Sequence, residues 1–206
     1  MDATMSQTGP LQLHLIRHGE TEWSLSGQHT GRSDIALTPH GEDEARALLP
    51  WLRRKHFTRV LSSPRQRARH TCVLAGLGTA ETEADLAEWD YGEYEGKRSA
   101  EIGQSRPGWN IFADGCPGGE SPSEVAARAD RLIARLSSLD GDIALFSHGH
   151  FSCVLAARWI GLQVVEGQHL SLSTASLSIL RYAPSHPDVR VIALWNAAPA
   201  ALGATA

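Results

Sequence analysis

Long apolar runs are missing from this 206-residue chain. No stretch approaches the roughly 18–20 residues of a membrane span, which excludes a bilayer-crossing helix as the organising element. A surplus of basic charge is missing too. Lys and Arg number 19 against 23 Asp and Glu, a formal net charge of -4, so the chain as a whole carries no electrostatic footprint for nucleic acid. Cysteine is scarce. Cys72, Cys116 and Cys153 are an odd number without CxxC spacing, which argues against a disulfide scaffold and for reduced thiols in a cytoplasmic protein. Cys116 lies in a Gly/Pro-rich loop and is expected to be accessible. The opening MDATMSQTGP lacks the basic and apolar regions of a secretory signal.

What is present is an ordinary globular composition, 42% apolar and 20% charged, with enough chain for one large domain. Residues 1–10 read as a flexible leader, 11–196 as a single domain and 197–206 as a small-residue tail. Strand and helix signals alternate. Residues 11–16 (LQLHLI), 59–62 (RVLS) and 142–146 (DIALF) are short apolar strands, and 175–182 and 189–195 are a final neighbouring pair. Helices are expected over 38–54, entered through Thr38-Pro39 and kinked at Pro50, over 64–75, 123–139 and 151–160. The alternation implies an α/β three-layer sandwich, a mostly parallel central sheet with helices on both faces.

Such sheets bind ligands beyond the carboxyl ends of their strands. Arg17-His18-Gly19 follows one strand directly, Ser147-His148-Gly149 another, and Ser63-Pro64-Arg65-Gln66-Arg67 a third. Two histidines and two or three arginines thus converge on one rim. A neutral imidazole is a nucleophile toward phosphorus, and guanidinium forks match phosphate oxygens. Phosphoryl transfer asks mainly for positioning and charge stabilisation, plus an acid for the leaving alcohol. Glu88, in DLAEWDYGEYEG, is the candidate acid, with Asp90, Glu93 and Glu95 as competitors. A metal site is disfavoured: no HxxxH or HExxH occurs near the strand ends, and flanking arginines oppose a cation. His29 and the other remaining histidines are expected to be structural or at the surface, and His150 to point away from the site.

These segments resemble the histidine phosphatase superfamily, also called the phosphoglycerate-mutase-like family. The likeness runs through LIRHGETEWSLSGQHTGRSDIALTPHGEDEA, SSPRQRARHT, LAEWDYGEYEGK and LFSHGHF, in the family's order. It implies that His18 is the phosphorylated nucleophile and Arg17 a phosphate ligand. It places Arg67, rather than Arg65, on the second arginine, Glu88 on the proton donor, His148 on the second phosphate-binding histidine and Gly149 on the backbone donor beside it. Ser24, Thr30 and Gly31 fall on pocket-lining positions, and Tyr91 on a substrate-side position.

The branch resembled most is that of acid phosphatases and sugar bisphosphatases, through TEWSLSGQHTG, EWDYGEYEG and CPGGES. Phosphoglycerate mutases differ: they have asparagine where Ser24 stands, a basic residue where Ser99 stands, and an insertion with paired arginines. Here the interval after the acid segment is short and holds only Lys97, Arg98 and Arg106. The resemblance therefore implies a phosphatase for a small sugar or acid phosphate, acting without cofactor or metal. A bisphosphoglycerate-dependent mutase is the alternative, and a non-catalytic phospho-ligand binder a remoter one. The expected partner is a small phosphorylated metabolite, with neither nucleic acid nor membrane; the oligomeric state is open, a homodimer being one option. The roles of Arg65, Lys97, Arg98 and Arg106 in substrate selection stay open.

Overall fold

The computed structural model describes residues 9–202. Residues 1–8 of the expected leader and 203–206 of the expected tail lie outside the described residues. Six strands form one sheet: β1 (Gln12–Arg17), β2 (Phe57–Ser62), β3 (Glu81–Thr82), β4 (Asp142–Ser147), β5 (Leu177–Ala183) and β6 (His186–Ala197). Their order is β3-β2-β4-β1-β5-β6. β3, β2, β4 and β1 run parallel, and β5 and β6 add an antiparallel pair beside β1. The α-helices are α1 (Glu22–Ser26), α2 (Pro39–Ala47), α3 (Leu49–Leu52), α4 (Gln66–Cys72), α5 (Ser99–Ser105), α6 (Ile111–Asp114), α7 (Pro122–Leu136), α8 (Gly149–Trp159) and α9 (Pro199–Leu202).

The parallel strands are buried on both faces, so their alternating side chains feed two cores. Leu13, Leu15, Ile143 and Leu145 point into the core shared with α7 and α8. Ile16, Ala144 and Phe146 point the other way, against Leu48 at the α2–α3 break, Leu52 of α3 and Ala68 of α4. This is the expected three-layer sandwich. Each fully buried Leu or Phe contributes about 1.5–3 kcal/mol.

Several elements differ from the sequence pattern. The helix expected over 38–54 breaks at Leu48 into α2 and α3, because Pro50 has no N–H to continue the ladder. The helix after β2 starts two residues late: Arg65 is extended, and Asp34 accepts the Gln66 amide at 2.8 Å, fixing the start from a distant loop. β3, α5 and α6 were not expected at all. β6 reaches Ala197, the first residue of the expected tail, and α9 follows it. Cys116 is buried instead of accessible, and burial pushes its thiol up to about 12.

Candidate active site

Strand register places the histidines. β1 and β4 pair with Arg17 opposite Ser147, so His18 and His148 leave neighbouring strands at the same level. β2 pairs with β4 one step earlier, Ser62 opposite Phe146, which brings Ser63 to the same rim. The imidazoles of His18 and His148 stand 5.2 Å apart between ring centres, edge toward face. Gly19 lets α2 pack directly against this turn: a Cβ there would meet the Gly41 carbonyl oxygen at 2.3 Å. Ala175, in the left-handed region at φ 45°, donates its N–H to the His18 carbonyl at 3.1 Å and holds the turn from the other side.

Each histidine has a defined proton. His18 Nδ1 lies 2.7 Å from the Gly19 carbonyl oxygen, which only accepts, so Nδ1 carries the hydrogen and Nε2 the lone pair. Burial lowers the His18 pKa well below its ordinary value, and the charges of Arg67 and Arg17 lower it further. His148 accepts the Arg67 Nε–H at Nδ1 over 3.2 Å, so its own hydrogen sits on Nε2, which donates to Ser63 Oγ at 2.7 Å. Burial, then Arg67, His18 and Arg17, hold His148 neutral as well. A charged His148 beside the nucleophile is therefore not what this arrangement favours.

The expected arginines take different places. Arg17 lines the pocket; one Nη1 hydrogen bond goes to the Leu172 carbonyl, and its buried Nε has no partner among the described residues. Arg67 is fully buried and lies behind the wall. Its guanidinium donates to the carbonyls of Ser33 at 2.9 Å and Thr30 at 2.8 Å as well as to His148, so it ties the loop after α1 to the second histidine. Gly31 also lies behind the wall: its carbonyl accepts from Arg67, and its N–H donates to Glu95. Arg65 has a buried Nε without a partner among the described residues.

The four acidic candidates separate cleanly. Glu88 lines the pocket. Its carboxylate caps the first turn of α8 from outside, taking the amides of Phe151 (Oε1, 2.8 Å) and His150 (Oε2, 3.1 Å), and takes the Trp89 amide at Oε1 (2.8 Å). Asp90 pairs with Arg32 at 2.7 Å. Glu95 accepts amides of Gly31 and Ser33, and Glu93 is exposed. The acid segment is held by Arg128 of α7, which donates to the carbonyls of Asp85 and Ala87 and forks onto Glu120. Glu120 in turn accepts the Asp90 amide, which gives the CPGGES stretch its structural task.

The pocket has a volume of about 410 Å³. Ser24, Thr30, Tyr91 and Gly149 line it. The Ser24 hydroxyl also closes a capping box with Thr21 at the start of α1. Two histidines that sequence reasoning set aside line it too. His150 accepts or donates at Nδ1 to the Tyr91 hydroxyl over 2.6 Å, and His29 stacks on Tyr91 with ring centres 4.7 Å apart. The expectation that His150 points away fails because the chain turns into α8 after His148, so strand alternation no longer applies. Among the described residues, no three His, Cys, Asp or Glu side chains gather as a metal site, and no helix is long and apolar enough to cross a membrane.

The sequence profile of the histidine phosphatase superfamily (branch 1) matches residues 13–196. The chain is 39% identical over 189 residues to an acid phosphatase of Mycobacterium tuberculosis, covering 89% of this chain and 92% of that protein. It is 37% identical over 184 residues to sedoheptulose 1,7-bisphosphatase of Saccharomyces cerevisiae, covering 73% and 68%. Among solved structures, that of the Mycobacterium tuberculosis open reading frame Rv3214 superposes with a TM-score of 0.86 at 38% identity, covering 91% of this chain and 98% of the other.

Proposed function

The chain belongs to the histidine phosphatase superfamily, and from that premise we propose that it removes phosphate from a small molecule through a phosphohistidine at His18. With phosphatase relatives at 39% and 37% identity, it is an enzyme that hydrolyses small-molecule phosphomonoesters. The observation that carries the covalent reading is the His18 tautomer: Nδ1–H is committed to Gly19, and Nε2 is left as the nucleophile.

In the first step His18 Nε2 bonds to phosphorus as the ester P–O bond breaks. The departing oxygen takes a proton from Glu88 and leaves as an alcohol. Glu88 Oε1 already accepts two amides and Oε2 one, so Oε2 is the oxygen with room for that proton. The Arg17 guanidinium and the Gly149 amide, the one left over in the first turn of α8, are the donors for the phosphoryl oxygens. The phosphorylated ring is cationic, and the Gly19 carbonyl stabilises its Nδ1–H. In the second step Glu88 takes a proton from water, the water oxygen attacks phosphorus, and the P–N bond breaks. Inorganic phosphate leaves and His18 returns to its neutral form.

His148 and Arg67 serve this centre from behind, holding the turn and the loop; Ser24, Thr30 and Tyr91 line the substrate side, shaped by Gly31. The arginine and amide donors meet the phosphoryl charge, so the reaction as written uses no metal ion. The three thiols are all buried and free, which fits a cytoplasmic protein.

The test is a rapid quench of enzyme with labelled substrate into alkali, in the presence of a chelator. A phosphoramidate survives alkali and is labile in acid. Label is expected on the peptide spanning residues 15–22 and absent in His18→Ala. Label on Ser147 or on a cysteine, or turnover that vanishes with chelation and returns with a divalent ion, overturns the reading.

A further inference from the structure

The two ends of the pocket differ in charge. Arg17 is the only arginine or lysine, and Glu88 the only carboxylate, among the described residues that line it. Both belong to the phosphate end. Resting on the phosphatase reading, we infer that the far end selects an uncharged, polyhydroxylated alcohol and turns away phosphomonoesters that carry a second anionic group, with His29, Tyr91, His150 and Phe112 as the sorting wall.

The wall is a packed aromatic cluster. His29 stacks on Tyr91, the Tyr91 hydroxyl bonds His150, and the Phe112 ring stands edge to face against His150 at 5.3 Å. His29 Nε2 reaches Ser99 Oγ at 3.2 Å. Gln168 lends its amide oxygen to Asn110 at 2.6 Å, which turns its NH₂ group free for a ligand. Gln28 is held at both ends, by Gly96 and Ser26. Hydroxyls, amides and neutral imidazoles both donate and accept, which matches the hydroxyls of a polyol. A phosphate or carboxylate held here would lose water without gaining a counter-ion, and would face Glu88.

The imidazoles do not supply the missing charge. Burial lowers both His29 and His150 to about 4, His150 further opposing a charge on His29 and Arg17 a charge on His150. Burial keeps the Cys153 thiol protonated, up to about 12. The cations that follow the acid segment are engaged elsewhere: Lys97 lies 5.5 Å from the Tyr94 ring centre, Arg98 pairs with Glu101 and Arg106 with Asp114.

The experiment compares kcat/KM for pairs without and with a second anionic group: glycerol 3-phosphate against 3-phosphoglycerate, and fructose 6-phosphate against fructose 1,6-bisphosphate, with release followed at the 6-phosphate. The aryl ester p-nitrophenyl phosphate serves as the reference. The neutral member of each pair is expected to lead by roughly tenfold or more. Gln168→Lys, at an exposed position lining the pocket, is expected to shrink that ratio by roughly two- to fivefold; reading a ratio cancels any general loss. Hydrolysis of the aryl ester with no preference, or with the anionic member ahead, overturns this inference and leaves the phosphatase reading standing. No hydrolysis of any ester removes the phosphatase reading and this inference with it.

Discussion

The phosphate end of the pocket is set by the sheet, and the far end by loops. Arg17, His18, Ser147 and His148 sit on or directly after paired strands, so their spacing follows the hydrogen-bond register of β1 with β4. His29, Tyr91, Ser99, Phe112 and Gln168 come from connections and short helices, joined by ring stacking and side-chain hydrogen bonds. The difference separates reaction from selection: attack on phosphorus depends on sub-ångström placement and gains from rigid elements, whereas a substrate wall can change residue by residue without disturbing the sheet.

Acid acts on both ends at once and is expected to have the largest effect. His14, His18, His29, His148 and His150 all have pKa values lowered by burial. A histidine whose folded-state pKa is depressed stabilises the fold fully above its unfolded value of about 6.5. That contribution is lost as pH falls below 6.5, because the unfolded chain takes up the protons, until the folded value is reached, about 4 for His29 and His150. The unfolding free energy from urea titration is expected to drop steeply between pH 7 and pH 5, by up to about 1.4 kcal/mol per pH unit for each histidine. His150→Gln should lessen that loss. A flat profile would contradict neutral burial at either end.

Glu88→Gln acts at the phosphate end alone and has the next largest effect. An alkoxide is a poor leaving group and needs the proton, so kcat on a sugar phosphate is expected to fall by about 10²–10³, and on p-nitrophenyl phosphate by less than about tenfold. Steady-state rates on the two substrates check this, and equal losses would remove Glu88 from the acid's role. Tyr91→Phe acts at the far end alone. It deletes the 2.6 Å contact with His150. A rise of roughly two- to fivefold in KM for sugar phosphates is expected, with a smaller change for the aryl ester. A larger loss in kcat than in KM would mean that the two ends are not separable.

The strands of the phosphate end were legible because buried parallel strands are short apolar runs, and LQLHLI and DIALF have that form. α7 was legible from its stripe of Val125, Ala129, Leu132, Ile133 and Leu136, all buried as expected. The stretch from 97 to 120 carries no comparable period. Its short helices α5 and α6 are held by capping and by Trp109 and Arg106 contacts to Gly115 and Asp114, which no local pattern announces. His29 and His150 were missed for a related reason. Their neighbours in space, Tyr91, Ser99 and Phe112, are distant in sequence, so nothing local marks them as wall residues.

By itself the sequence determined the layered α/β fold, the strand ends that carry Arg17, His18 and His148, and the short acidic segment that holds Glu88. Those follow from periodicity and from residue types whose chemistry is local. Tertiary structure decided which carboxylate reaches the pocket, why Arg67 stands behind the wall, and where each imidazole keeps its proton. Those outcomes depend on burial and on partners such as Ser63, Gly19 and the first amides of α8, and burial is a property of the packed chain.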